Sequence, residues 1–319
     1  MWETQSIGVA ILILAILVDL IFGDPPWRLH PTFLLGELTK ILERYLKSSN
    51  SFIGKMNGIL LVFILLGITV VPIYLGLKFI FGSLGFLFYI IVSAVILKLT
   101  ICINLETKWA IYAARAVESG NLEEARKIVT YFSRRDERDL SGSQIVSAIV
   151  ESIAENLPDF KLSQIFYYAF FGVSGAVVAR VINTLDSVIG FKTAEHIHTG
   201  WFTAKLDTLI NYIPARLTVL FIVLSSAILG EDWRRGWKVA RRDRRKISST
   251  NHGWPVAAMA GVLCSQLEKP GYYTVGDKIE DPSPRHITRA LRIRNVTTIL
   301  FVIFFLPIII LTRTLFFIY

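Results

Sequence analysis

The chain has 319 residues, 53% of them hydrophobic, and a net charge of +9 from 34 Lys and Arg against 25 Asp and Glu. A mean hydropathy of +0.52 excludes an ordinary soluble domain of this size and points to a polytopic membrane protein. In such a protein basic loops and anionic lipid headgroups account for the positive balance, so the lipid bilayer and not nucleic acid is the expected partner. The two cysteines, Cys102 and Cys264, lie far apart without metal-type spacing, so no disulfide framework is implied.

The first element is MWETQSIGVAILILAILVDLIF. It lacks a basic leader region, and Asp19 interrupts its apolar run, so it reads as a retained membrane helix over 7–22 rather than a signal peptide. GDPPWRLHP (23–31) follows as a rigid, proline-stiffened turn, with Trp27 as an interface anchor. Further spans are expected over 57–80 and 84–105.

The segment 106–161 reads as helical hairpin material. LEEARKIVTYF (122–132) has helical spacing, and SGSQIVSAIVESIAENL (141–157) opens with a capping box of Ser141 and Gln144. Ile145, Ile149, Ile153 and Leu157 form one stripe, Glu151 and Glu155 share another face, and Pro158 ends the helix. Glu151, Glu155, Asn156 and Asp159 offer oxygen ligands of the kind a hard cation such as Mg²⁺ takes. The alternative is a solvated helix face, weakened because acids near a helix C-terminus oppose its dipole.

A weaker span over 162–182 runs into NTLDSVIGFK (183–192), which is unusually polar for a connector. It continues through EHIHTGWFTAKLD to NYIPAR (195–216). Asp186 and Asp207, with Lys192, Lys205 and Arg216 among them, suit a site that binds metal and phosphate together. His196 and His198, two apart, would share a metal only on a strand, and no third ligand for zinc is evident. After a span over 209–229, the segment 230–295 is loop-rich, with the basic run WRRGWKVARRDRRK and the turn-then-helix NHGWPVAAMAG. Gly253 and Pro255 there force a turn that admits close backbone approach. A last span covers 296–317.

The expected fold is therefore all-α, a single integral membrane domain over 1–319 with five or six membrane helices. The segments 23–56, 106–161 and 230–295 hold five, eight and fourteen Lys or Arg, and 183–208 holds two. Basic loops stay inside, which makes the first three cytoplasmic. Segment 183–208 then faces out, or folds back as a re-entrant stretch lining a cavity. No GxxxxGK[ST], GxGxxG, HExxH or GxSxG motif occurs.

In this order, GDP…HP, ESIAEN..D, NTLDSVIGFK, GW..AKLD..INYIPARLT and N.GWP.AAMAG resemble the CobD/CbiB family over about residues 19–295. The resemblance implies an integral enzyme of the cell membrane, an adenosylcobinamide-phosphate synthase. It would join aminopropanol or its O-phosphate to adenosylcobyric acid as an amide, using ATP and Mg²⁺, with other membrane enzymes of cobalamin biosynthesis as neighbours. On that implication Glu151, Glu155, Asp159, Asp186 and Asp207 become metal-ligand candidates, and Asp186, Asp207, Glu155 and Asn183 the catalytic set. Lys192, Lys205, Arg216 and one of Arg134 or Arg135 become candidates for phosphate. Asn156 and Asn183 orient substrate oxygens, His252 or a carboxylate acts as base, and Trp201, Trp254 and Tyr212 wall the corrinoid. The alternative class is a transporter or an AmpE-like regulatory membrane protein.

Overall fold

The computed structural model describes residues 2–132 and 139–316, and they are mostly helical. Four helical stretches are long and apolar enough to cross a membrane: Ser51–Ser83, Gly142–Ile189, Tyr212–Leu229 and Pro284–Leu315. The two further expected spans are shorter apolar helices among the described residues. The expected span over 84–105 is only the helix Phe86–Lys98, and the first apolar helix contributes Ser6–Phe22. The chain divides into two compact units.

The first unit comprises residues 1–102, 163–210 and 304–319. It holds α1 (Trp2–Phe22), a 3₁₀ turn (Trp27–Leu29), α2 (Pro31–Leu46), α3 (Ser51–Ser83) and α4 (Phe86–Lys98). α8 (Ser163–Ile189) and α9 (Trp201–Ile210) complete it, with the end of α13 (Pro284–Phe316). α8 packs against α2, α3, α4 and α9, and α1 against α4. Helix α3 starts where it does because the Asn50 side chain accepts from the backbone N–H of Phe52 and Ile53. α8 kinks at Gly172, whose φ of 71° lies in the left-handed region.

The proline-stiffened turn after α1 does more than end a helix. Lys98 at the end of α4 is buried and reaches Asp24 at 2.5 Å and Asp19 at 3.5 Å. Cys102 donates to Asp24 at 3.2 Å, and His30 stands 3.7 Å away. Burial pushes the Asp24 carboxyl up, but hydrogen bonds with His30, Lys98 and Cys102 outweigh it and hold the group well below the usual carboxylate range.

The second unit comprises residues 103–162 and 211–303. It holds α5 (Asn104–Glu118), α6 (Leu122–Val129), α7 (Gly142–Leu157), α10 (Tyr212–Leu229), α11 (Trp233–Asp243) and α12 (Gly253–Val262). A hairpin of β1 (Leu267–Lys269) and β2 (Tyr273–Val275), paired antiparallel with Leu267 opposite Val275, precedes α13. This hairpin is a short addition to a mostly helical chain. Its signal is KPGY, where Pro and Gly occupy the two central turn positions and Tyr272 N–H closes on the Lys269 carbonyl at 2.9 Å.

The expected capping box of α7 is present, and Pro158 does end the helix, in a single wide π turn over Pro158–Leu162. Ile145, Ile149, Ile153 and Leu157 are all buried, but so is Glu151, so α7 has no solvated face at that position. α7 and α12 pack together and form the core, with β1 and α6 against α7, and α10 and α11 against α12.

One ion cluster ties this unit together. Glu106 on α5 receives Lys161 Nζ at 2.8 Å and Arg294 at 2.6 Å, both on Oε2, and Asn156 Nδ2 at 2.9 Å on Oε1. All three charged side chains are buried. Burial raises the Glu106 carboxyl, but the charges of Lys161 and Arg294 outweigh it and hold it below its ordinary value. Breaking a buried pair from one side leaves charge uncompensated, at about 3–5 kcal/mol. Glu106→Ala is therefore expected to lower the thermal unfolding midpoint of the solubilised protein far more than a surface Glu→Ala such as Glu123→Ala, whose partner Lys127 is exposed.

A second cluster fixes α11. Asp243 takes a bidentate Arg242 at 2.8 Å on each oxygen, Lys246 at 2.9 Å and the Gly276 backbone N–H at 2.9 Å. Burial alone would raise the Asp243 carboxyl; these donors bring it down to about 2. A lowered folded-state value stabilises above the unfolded value of 3.8 and is lost as pH falls toward about 2. Stability measured from pH 5 down to pH 2 should fall less steeply in Asp243→Asn than in the native chain.

Candidate active site

The second unit gathers the richest chemistry at the start of α12. The chain turns over 249–252, with the Gly253 N–H on the Ser249 carbonyl and the Trp254 N–H on that of Asn251. His252 holds the N-cap position but makes no side-chain cap. Its Nε2 instead meets Asp159 Oδ2 at 2.8 Å. Asp159 is buried on the wide turn after α7, so the α7 terminus and the α12 start are pinned to each other.

Arg216, one turn into α10, donates to Asn251 Oδ1 at 2.6 Å and to the Thr250 carbonyl at 3.2 Å. Its guanidinium lies 3.6 Å over the Tyr212 ring and 5.9 Å from the centre of Trp254. Arg244 stacks on Trp254 from 4.5 Å. Two guanidiniums thus flank one indole beside a helix N-terminus, whose dipole is positive. Guanidiniums in such a fork bind carboxylate or phosphate oxygens in pairs.

Opposite charge lies close by. Glu151, Glu155 and Asp159 recur every four residues, and Glu155 feels Glu151 and Asp159 as like charges and His252 and Lys269 as opposite ones. The site is therefore an acidic row meeting a basic, aromatic edge. Among the described residues no group of three or more His, Cys, Asp and Glu is arranged to hold a metal ion. An all-protein cation cage is thus not built here. The donor chemistry does fit Mg²⁺ held by one or two carboxylates, with waters and phosphate oxygens completing its shell.

Of the residues singled out in the sequence, Glu151, Glu155, Asn156, Asp159, Arg216, Tyr212, His252 and Trp254 fall in this unit. Asn156 spends its amide on Glu106. Asn183, Asp186, Lys192, Trp201, Lys205 and Asp207 fall in the first unit. The five metal-ligand candidates divide accordingly, with Glu151, Glu155 and Asp159 in the second unit and Asp186 and Asp207 in the first. Arg134 and Arg135 lie outside the described residues.

In the first unit the polar ending of α8 is helix, not loop, up to Ile189. Asn183 is buried and Asp186 half-buried. Asp186 folds back on its own helix end: a Cβ at Gly190 would stand 2.0 Å from its Oδ1. On α9, Asp207 is buried and Lys205 exposed, because two residues apart on a helix face opposite ways. Lys192 and Trp201 are exposed, and Lys55 sits 5.4 Å over the Trp201 ring. His196 hydrogen-bonds Glu43 at 2.7 Å, and His198 lies against α3 at Gly54, so the two histidines serve hydrogen bonding and packing.

Sequence reasoning missed Arg244, Lys269 and the Glu106–Lys161–Arg294 cluster. Arg244 is one of several alike in RRDRRK, and only its stacking on Trp254 distinguishes it. Glu106 and Arg294 are 188 residues apart, beyond any local pattern.

The family model described as "CobD/Cbib protein" matches residues 12–297. The chain belongs to the CobD/CbiB family. It is 37% identical over 305 residues to the "Probable cobalamin biosynthesis protein CobD" of Thermoplasma volcanium, covering 95% of this chain and 98% of that one. With the protein of the same name from Methanothermobacter thermautotrophicus it shares 34% over 293 residues, 92% and 95% of the two chains. The "Cobalamin biosynthesis protein CobD" of Dehalococcoides mccartyi is 33% identical over 285 residues, 89% and 92%. No solved structure matches. The CobD/CbiB assignment agrees with the resemblance drawn from the motifs and makes this a cobalamin biosynthesis protein.

Within this CobD/CbiB-family site the tightest approach is at Gly253, where an added Cβ would stand 2.0 Å from the Arg244 carbonyl oxygen. Backbone cannot yield that distance cheaply. Gly253→Ala is expected to push α12 away from the end of α11 and to destabilise the protein by about 1–3 kcal/mol, read as a lowered unfolding midpoint. Trp254→Phe, which keeps a ring for Arg244, should cost much less.

Proposed function

We propose that this chain is an ATP-dependent amide ligase of the cell membrane, joining aminopropanol or its O-phosphate to adenosylcobyric acid. The observation that carries the reading is the meeting of Arg216, Arg244 and Trp254 with the Asp159–His252 pair at the start of α12. Family membership supports the pathway, and the site supplies the chemistry. ATP is a cytoplasmic substrate, so this face of the second unit belongs on the cytoplasmic side, in keeping with its basic loops.

A carboxylate is a poor electrophile, and ATP overcomes this by converting it to an acyl phosphate that an amine attacks. The protein must then hold anionic oxygens, an amine and a proton acceptor together. Arg216 and Arg244 neutralise phosphoryl or carboxylate oxygens, and the rings of Tyr212 and Trp254 keep their guanidiniums planar and aimed. With the proton of His252 on Nε2 and held by Asp159, Nδ1 is the basic nitrogen and removes the proton from the attacking amine. Glu155, with Glu151 behind it, presents oxygens to the ammonium form of the amine or, where Mg²⁺ accompanies ATP, to the cation. Bound Mg²⁺ would supply charge neutralisation for the phosphates. Asn183, Asp186, Asp207, Lys192 and Lys205 belong to the first unit and take no part in this scheme.

The test is the purified full chain with adenosylcobyric acid, ATP and each amine in turn, read by product mass. An amide product with one of the amines, dependent on ATP, is expected; no amide with either would overturn the reading. His252→Ala should lower kcat about 10²- to 10⁴-fold. Asp159→Asn should lower kcat less and leave KM for ATP nearly unchanged.

A further inference from the structure

Helix α11 carries more charge than its own packing uses. Its buried face is Gly236, Val239, Ala240 and Asp243, laid against α12. Three basic residues are paired: Arg235 with Asp232 and Asp277, Arg242 with Asp243 and Asp277, and Lys246 with Asp243. Arg234, Lys238, Arg241 and, in the turn beyond, Arg245 are exposed, and no described acidic side chain pairs with them. At 3.6 residues per turn these four fall in one stripe about 60° wide, opposite the buried face. Alongside run Trp233 and Trp237, one turn apart and 42% and 38% exposed. Arg234 sits 5.2 Å over the Trp233 ring.

The place of this helix in the chain gives the stripe a meaning. α10 is long and apolar enough to cross a membrane. It ends at Leu229 with Gly230 as a left-handed cap, and only Gly230–Asp232 separate it from α11, which packs against it. α11 thus starts where a span ends, at headgroup depth. Indoles favour that depth because ring and N–H want different surroundings. Basic side chains there reach lipid phosphates with their stems still on apolar surface. A face turned only to water has no use for two exposed tryptophans at this position.

We propose that the outer face of α11 is a binding surface for anionic phospholipid headgroups, with Arg234, Lys238, Arg241 and Arg245 on the phosphates and Trp233 and Trp237 at the boundary. It goes beyond the ligase reading and does not depend on it.

The test uses the full chain in phosphatidylcholine nanodiscs that carry a small share of dansyl-labelled phosphatidylglycerol or, separately, dansyl-labelled phosphatidylcholine. Energy transfer from tryptophan reports which label gathers near the protein, and the drop in Trp233→Phe/Trp237→Phe isolates the share from α11. Stronger transfer to the phosphatidylglycerol label is expected, falling with added salt. A basic residue near an anionic surface adds about fivefold to local affinity, so Arg234→Gln/Lys238→Gln/Arg241→Gln/Arg245→Gln should bring the two labels level. Replacing the three arginines by lysine should keep the preference, which separates lost charge from lost folding. Equal transfer to both labels in the native chain, or a preference undiminished in the four-residue variant, would overturn the proposal. So would binding of a short RNA duplex that the four-residue variant loses while its lipid preference stays.

Discussion

Everything in the second unit leans on one carboxylate that is out of reach of water. Glu106 holds Lys161 and Arg294 on the same oxygen, and neither cation has access to solvent. Ions of this size cost several kcal/mol each to bury, and that cost is recovered only when hydrogen bonds complete the shell. Here they largely do: Asn156 takes the second Glu106 oxygen, and Thr107 and Asn295 accept from Arg294 Nε and Nη2. The cluster sits at a particular place in the chain. Asn156 is in the last turn of α7, and Lys161 is in the wide turn that follows. Between them lies Asp159, so its position against His252 is set from both sides. A flexible carboxylate on a loop would not hold a histidine in one orientation; this one is clamped by its neighbours.

The same economy governs α12. Beyond Trp254 and Pro255, α12 is Val, Ala, Met and Gly, all buried, so it packs deep among other elements with few bulky side chains of its own. What faces its N-terminus comes from elsewhere, Arg216 from α10 and Arg244 from the end of α11. Both are arginines stacked on rings. A lysine in either place would lose the planar fork and the stacking that keeps it aimed. The basic edge is thus preorganised by aromatic contact, and the acidic row of α7 is preorganised by helix periodicity.

Much of this was legible in the chain. The capping box at Ser141, the stop at Pro158 and the turn at Gly253 were visible because each depends on side chains within four residues of one another. The pairing of Asp159 with His252 was not, since 93 residues separate them. Both belonged to motifs read separately, and only the packing of α7 on α12 joins them. The bounds of the spans were less legible, for a different reason. Apolar runs such as 84–105 contain turns, and hydropathy does not register that Leu99–Ile103 leave the helix after Lys98 is anchored on Asp24. Likewise NTLDSVIGFK looked like a connector, although its first seven residues continue α8.

The positive balance that first suggested a membrane protein is also unevenly spread. Segment 230–295 holds fourteen Lys and Arg against seven Asp and Glu, a surplus of seven in a chain whose net charge is +9. Within that segment the charges divide by role. Arg235, Arg242, Lys246, Arg289 and Arg294 find carboxylates and fix one element to another. Arg244 is spent on Trp254. Of the remainder, Lys278 pairs with Asp281, and four, Arg234, Lys238, Arg241 and Arg245, stand exposed on the outer stripe of α11. Charge left unpaired inside would have cost stability; left outside at the end of a span, it is free to meet a negatively charged surface.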